Sequence, residues 1–408
     1  MMPRLTILIT LFAFLVFACA SNPTGKKKER TPVDSTFSFK AISPKEVAYY
    51  NEEIKPLYSK YLLTKGFNGS ILVAKNGEIV FEDYHGLINF QTKDSITPNT
   101  PFHLASISKT FTGMVILRLM EQGKLKLDDN IQKYFPSFPY QGITIKNMLT
   151  HRSGLPNYIH LMDERGISEV IKIKNKRGKI VRVRRTVKTI ASKQGCINNE
   201  DVLQFLIDKK PPVSSRPDQA YNYCNTNFVL LALIVEKITN MPFPKYMKDS
   251  VFTPLGMTHS FIFNINEKEK YLPSYKNSRV AYGIEKLDCV YGDKNVYSTV
   301  RDMFQWDKAL YEGTFVSLKT LNMAFQPYSN ERRSTHNYGL AWHLLVYPNE
   351  TVVYHNGWWH GNNTVFTRLI KDTATLIVLG NRFNKSIYGS KQITTVFTHS
   401  IDTAKMEE

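Results

Sequence analysis

Ser70-Ile71-Leu72-Val73-Ala74-Lys75-Asn76-Gly77-Glu78-Ile79-Val80-Phe81-Glu82 is the stretch on which the fold turns. Two short runs rich in apolar residues flank Asn76-Gly77, a pair that readily takes the positive φ a tight two-residue turn requires. The stretch reads as an antiparallel hairpin. A second hairpin is expected toward the other end of the chain: residues 364–370, a Lys371-Asp372 turn, then residues 373–379. Helical patterns dominate between them. Residues 111–120 are apolar nearly all round and stop before Gly123, as a buried helix with a glycine cap would. Thr299-Val300-Arg301-Asp302 has capping-box spacing and opens another helix, carrying Met303, Phe304, Trp306 and Leu310. Strands at both ends with helices between them predict an α+β unit. One antiparallel sheet is formed from both chain ends with flanking helices, and a mostly helical region is inserted.

The chain has 408 residues, 42% hydrophobic and 12% aromatic, which excludes a disordered polypeptide and permits a large core. Four cysteines over that length exclude a disulfide-stapled miniprotein, and no apolar run approaches the ~20 residues of a membrane-spanning helix. The formal charge of +18 invites a nucleic-acid hypothesis, yet residues 165–193 alone hold eleven Lys and Arg against one acid, Glu169. Because the excess is local, no nucleic-acid partner is expected. Residues 170–174 and 179–184 alternate apolar and basic about Asn175-Lys176-Arg177-Gly178, so 165–193 read as an inserted basic hairpin. Its plain role is a solvated protrusion; its functional one is contact with an anionic membrane or glycan surface.

Arg4 precedes an uncharged, mostly apolar stretch, residues 5–18, which has the length of a secretory signal core. It ends in Val16-Phe17-Ala18-Cys19, similar to a bacterial lipobox; plain secretion is the alternative. The expectation is a signal peptide over 1–18, lipid attachment at Cys19, a flexible tether over 19–45 and one folded domain over 46–400. Such a protein lies outside the cytoplasm in the cell envelope, facing the periplasm or on the outer membrane, on a two-chain lipid anchor. Cys196, Cys224 and Cys289 then remain, and an odd number leaves at least one free.

Motif absences narrow the chemistry. The sequence contains no G-x-G-x-x-G, no G-x-x-x-x-G-K-[ST], no H-E-x-x-H and no G-x-S-x-G. What it does contain is Phe102-His103-Leu104-Ala105-Ser106-Ile107-Ser108-Lys109, at the mouth of the buried helix. Residues three apart share a helix face, so Lys109 can reach Ser106. A desolvated lysine gives up its proton more easily and can then act as base toward the serine. Alone, the spacing fits a capped helix with a surface lysine equally well. Tyr223-Cys224-Asn225 places a phenol and an amide two apart on an extended loop, suited to a proton relay and a hydrogen-bonding clamp; Cys224 is read as a packing residue. His355-Asn356-Gly357-Trp358-Trp359-His360-Gly361 is read as an exposed turn before the second hairpin. Its two histidines lack a nearby acidic or cysteine partner, so no metal is expected.

Taken in this order, the three elements resemble the serine β-lactamase and penicillin-recognising superfamily. The resemblance is closest to its class C β-lactamase-related branch, which includes esterases, D-amino-acid peptidases and penicillin-binding proteins. Ser106-Ile107-Ser108-Lys109 looks like the family's Ser-x-x-Lys, Tyr223-Cys224-Asn225 like its Tyr-x-Asn, and His355-Asn356-Gly357 like the His-x-Gly form of Lys-Thr-Gly. Leu149-Thr150-His151-Arg152-Ser153-Gly154-Leu155-Pro156 and Tyr297-Ser298-Thr299-Val300-Arg301-Asp302 match as supporting stretches, with His151 shaping the fold. The resemblance implies Ser106 as nucleophile, Lys109 and Tyr223 sharing the base role, and an oxyanion hole from the backbone amides of Ser106 and Trp358. Asn225, His355 and Gly357 would bind substrate, with no metal or organic cofactor. The implied partner is a small-molecule or short-peptide substrate, an ester or a D-amino-acid amide, and the oligomeric state stays open. Alternatives are a true β-lactamase or a non-catalytic penicillin-binding-like protein. His355 stands where penicillin-destroying members carry a lysine that helps hold the anionic substrate, which argues against strong β-lactamase activity. Trp358 and Trp359 imply an apolar acyl pocket.

Overall fold

The computed structural model describes residues 37–161, 167–174, 178–187 and 195–397. The hairpin expected around Asn76-Gly77 forms β1 (Gly69–Lys75) and β2 (Glu78–His85), with φ of 48° and 76° at the two turn residues. Five further strands come from the C-terminal part: β3 (His336–Tyr338), β4 (His343–Val346), β5 (Thr351–Trp359), β6 (Asn362–Leu369) and β7 (Ala374–Gly380). They form one seven-stranded sheet in the order β3-β4-β5-β6-β7-β1-β2. The two chain ends meet where β1 pairs antiparallel with β7, from Gly69↔Gly380 to Lys75↔Ala374. The expected α+β sheet closed by both ends is the one observed.

Period-two alternation sends neighbouring side chains of β1 into different cores. Ile71 and Val73 pack with Ile54 and Tyr58 of α1 (Pro44–Tyr61) and with Ile387 and Ile393 of the helical segment Lys385–Val396. Leu72 faces the larger core, which holds α2 (Ser108–Glu121), α3 (Asn225–Thr239) and α4 (Val300–Tyr311). Both sheet faces are therefore covered, and β6 and β7 are buried along their whole length.

Several expectations need correcting. Ser43 and Glu46 make a reciprocal capping box, so α1 begins at Pro44, and Phe37 and Phe39 pack on the Tyr311 ring. The stretch expected as tether to residue 45 is thus ordered against the domain from residue 37. The signal peptide, Cys19 and the rest of the tether lie outside the described residues, as do residues 398–400. At α4, Thr299 caps Asp302 N–H, but the Asp302 carboxylate accepts from His259 N–H and Ser260 Oγ, so half the predicted box forms. The basic hairpin pairs Ile167–Lys174 with Ile180–Val187, longer than expected, while residues 175–177 of its turn lie outside the described set. Cys196 and Cys289 form a disulfide, leaving Cys224 free and buried. Among the described residues, no helix is long and apolar enough to cross a membrane.

Candidate active site

Ser106 sits in the tight turn Ala105–Ile107 that leads into α2. Ala105 has φ +50°, a left-handed conformation that an L-residue rarely adopts. Its N–H donates to His103 Nδ1 at 2.9 Å. Because that nitrogen accepts, the ring proton lies on Nε2, which donates to Asn295 Oδ1 at 2.8 Å. Burial lowers the His103 pKa to about 4, so the ring is neutral.

Lys109 lies one helical turn on, with Nζ 2.9 Å from Ser106 Oγ and 2.8 Å from the Asp293 carbonyl oxygen. Its side chain is fully buried, its Nζ 5.1 Å from the Tyr223 ring centroid and 5.8 Å from that of Phe228. Burial pushes the ammonium down to about 7, partly opposed by the Asp293 carboxylate. In its neutral form the amine can donate to Asp293 and present its lone pair to the Ser106 hydroxyl.

Tyr223 ends a loop, Cys224 caps α3, and Asn225 is the first residue of that helix, so the amide stands on a helix end where an extended loop had been expected. His151 anchors this junction: its Nδ1 accepts Cys224 N–H at 3.0 Å, and its ring centroid lies 4.2 Å from that of Tyr223. Burial raises the Cys224 thiol to about 11, which suits a packing residue.

The stretch containing His355 is not an exposed turn; it forms the end of β5. His355 is buried, its Nδ1–H donates to its neighbour's Asn356 carbonyl at 2.7 Å, and its Nε2 accepts from Tyr338 Oη at 3.3 Å. Desolvation holds His355 and His151 neutral and lowers His343 to about 3. Gly357 is needed for close approach. A Cβ there would collide with Leu104 O and Thr364 Oγ1 and lie 3.0 Å from Ala105 Cβ. The Thr364 hydroxyl donates to Leu104 O at 2.8 Å, tying the sheet to the Ser106 turn.

Trp358 is exposed, beside Phe383 and Lys385. Trp359 points elsewhere, donating from Nε1 to Asp288 Oδ1 at 2.9 Å, so the expected two-tryptophan pocket reduces to Trp358. His360 Nε2 stands 3.5 Å from Asp288 Oδ1, and no group of three His, Cys, Asp or Glu among the described residues could hold a metal ion.

Ser106, Tyr223, Asn225, His355, Gly357 and Trp358 line one cleft of about 1050 Å³, while Lys109 lies beneath its floor. Its walls also hold Tyr221, Tyr338, His343 and Tyr388, which no sequence spacing had marked; Tyr388 Oη donates to Gly357 O at 2.9 Å. Among the described residues, no carboxylate lines the cleft, whereas Lys65, Lys385 and Lys391 do.

Residues 64–391 match the family described as Beta-lactamase. A penicillin-binding protein of Bacillus subtilis (strain 168) is 30% identical over 340 residues, covering 79% of this chain and 70% of its own length. The crystal structure of a penicillin-binding protein from Bacillus halodurans matches with a TM-score of 0.68 at 20% identity, covering 84% of this chain and 99% of that one. D-amino acid amidase from Ochrobactrum anthropi SV3, complexed with D-phenylalanine, matches with a TM-score of 0.66 at 19% identity, covering 85% and 98% of the respective chains. At these identities the two structures speak for the fold. With the family match spanning most of its length, this chain belongs to the Beta-lactamase family.

Proposed function

We propose that this protein is a serine hydrolase that works through an acyl-enzyme on an ester or a D-amino-acid amide or peptide. The observation that carries the reading is the buried Lys109 Nζ, 2.9 Å from Ser106 Oγ. The amine takes the Ser106 proton as Oγ bonds to the substrate's carbonyl carbon. Backbone amides of Ser106 and Trp358 hold the resulting oxyanion, a type of donor whose loss typically costs about 10²–10³ in rate. The proton passes from Lys109, through Tyr223, to the leaving oxygen or nitrogen as its bond to carbon breaks. A water then attacks the acyl carbon and yields its proton to Lys109, directly or relayed through the Tyr223 hydroxyl, and Lys109 returns that proton to Ser106 Oγ as its bond to the acyl carbon breaks. Asn225 orients the substrate, and Gly357 lets β5 lie close to the reacting carbonyl.

A neutral His355, with both ring nitrogens engaged inside the protein, brings no positive charge to a β-lactam carboxylate. At this position that favours esters over cephalosporins. The Cys196–Cys289 disulfide fits an oxidising compartment outside the cytoplasm, consistent with export and lipid attachment at Cys19. Radiolabelled palmitate should enter the wild type and not Cys19→Ala; equal labelling refutes the anchor. For the chemistry, an activated ester, a D-amino-acid amide and a chromogenic cephalosporin are compared as substrates of the wild type and Ser106→Ala. Esters are expected to turn over fastest, with loss of turnover in the variant. Unchanged hydrolysis by Ser106→Ala overturns the nucleophile, and a cephalosporin rate above the others overturns the reading of His355.

A further inference from the structure

The segment Gly292-Asp293-Lys294-Asn295 runs beneath the Ser106–Lys109 pair and is fastened to it at three points. Thr112 Oγ1 donates to Gly292 O at 2.7 Å, Lys109 Nζ to Asp293 O at 2.8 Å, and His103 Nε2 to Asn295 Oδ1 at 2.8 Å. The last link continues through His103 to Ala105 N–H, and so to the turn that presents Ser106. Gly292, at φ +94°, sits so tightly on α3 that a Cβ would collide with the Phe228 carbonyl oxygen. One segment thus fixes both members of the pair.

The side chains of this segment are less expected. Asp293 and Lys294 are 1% and 3% exposed, and Tyr158 is fully buried between them. Lys294 Nζ donates to Tyr158 Oη at 2.7 Å, and that hydroxyl donates to Asp293 Oδ2 at 2.8 Å. The Lys294 ammonium also stands 3.8 Å from Asp293 Oδ1 and lies over the rings of Tyr158 and Trp359. Stability alone is a weak reason for a buried ion pair, since apolar side chains of similar volume commonly serve as well or better. Here the pair adjoins the amine on which the chemistry depends.

We propose that Asp293 and Lys294, linked through Tyr158, are positioning residues for the Ser106–Lys109 pair. The Asp293 main-chain carbonyl aims the amine at Ser106, and the Lys294 ammonium cancels the Asp293 carboxylate so that no net charge lies behind Lys109. The inference rests on Lys109 being the base. A lone carboxylate at this depth would hold Lys109 in its ammonium form, and a lone ammonium would repel its proton. The Tyr223 ring also faces Lys109, as do groups that burial holds neutral: the thiol of Cys224 and the rings of His151, His343 and His355. Among the described residues, Asp293 and Lys294 are the charged groups bearing on it.

The test is the pH profile of kcat/KM for an activated ester, measured on the whole chain. Lys294→Met leaves the carboxylate uncompensated and is expected to move the acid limb up by more than about half a unit. Asp293→Asn keeps the backbone carbonyl, removes the charge, and is expected to move the limb down by a similar amount. The double variant restores neutrality and should return the limb to within about 0.3 unit of wild type. A limb that stays within about 0.2 unit of wild type in both single variants, with only their melting temperatures lowered, overturns the proposal. If one single variant fails to fold, the other decides by the same limits, and a double-variant limb displaced by more than about one unit overturns the proposal in either case. A wild type with no acid limb between pH 6 and 9, or an active Ser106→Ala, overturns the reading of the base and nucleophile instead.

Discussion

Removing the buried amine should make the folded protein more stable near neutral pH while abolishing its chemistry. The Lys109 ammonium is lowered from 10.5 to about 7, chiefly by desolvation. In the unfolded chain the side chain regains its ordinary affinity, so between pH 7 and 10.5 the unfolded state binds more protons than the folded one. Stability therefore rises with pH across that window, and the cost of burial is felt in full below pH 7. At about 1.4 kcal/mol per unit, a difference of about three and a half units corresponds to about 5 kcal/mol. Lys109→Met removes that cost but strands the Asp293 carbonyl, a loss of about 1–3 kcal/mol. The net expectation is a gain of about 2–4 kcal/mol at pH 6 that shrinks and reverses toward pH 10. Urea unfolding of both proteins at pH 6, 7.5, 9 and 10 measures it. The same ionisation should appear in wild-type kcat/KM, rising through a single step near pH 7 and level above pH 9. Lys109→Arg should abolish the activity, because guanidinium keeps its proton. A stability difference independent of pH, or a rate that climbs to pH 10, refutes a desolvated base at this position.

Three further outcomes follow from the cleft. Gly357→Ala forces a methyl into Leu104 O and Thr364 Oγ1, driving β5 off the Ser106 turn; steady-state kinetics should show kcat down by about 10²–10³, as when an oxyanion donor is lost. Trp358→Ala leaves the main-chain N–H in place, so KM should rise severalfold while kcat changes less than about threefold, and an equal fall in kcat would show that the indole does more than bind. With Lys65 and Lys385 on the walls and no carboxylate there among the described residues, an anionic ester should be preferred to its cationic analogue by about tenfold in low salt. The preference should fade in 0.5 M salt and invert in Lys65→Glu/Lys385→Glu; kcat/KM for the ester pair at two ionic strengths tests both.

The hairpins at the two ends were legible because turn chemistry and alternation are local, and Asn76-Gly77 alone fixes where β1 turns into β2. The same holds for Ser106 and Lys109, which share a helix face through their spacing. Helix α1 went unread because it is polar and carries Pro56, although Ser43 and Glu46 held its start signal in plain view. Gly357 disguised the end of β5 as a turn, when its lack of a side chain serves close approach to Leu104 and Ala105. Asp293, Lys294 and Tyr158 could not be read at all. They meet Lys109 only because α2, α3 and the segment after the disulfide pack together, and no period or motif encodes that meeting.

The proposed chemistry requires a covalent intermediate on Ser106. Rapid acid quench of the wild type with a slowly deacylating activated ester, followed by peptide mass spectrometry, would capture it. One acyl group is expected on the peptide containing Ser106, formed within the first turnover and lost as product accumulates, with no adduct on Ser106→Ala. Steady turnover with no acylated peptide, or an adduct on Tyr223 or Cys224 in its place, would contradict it.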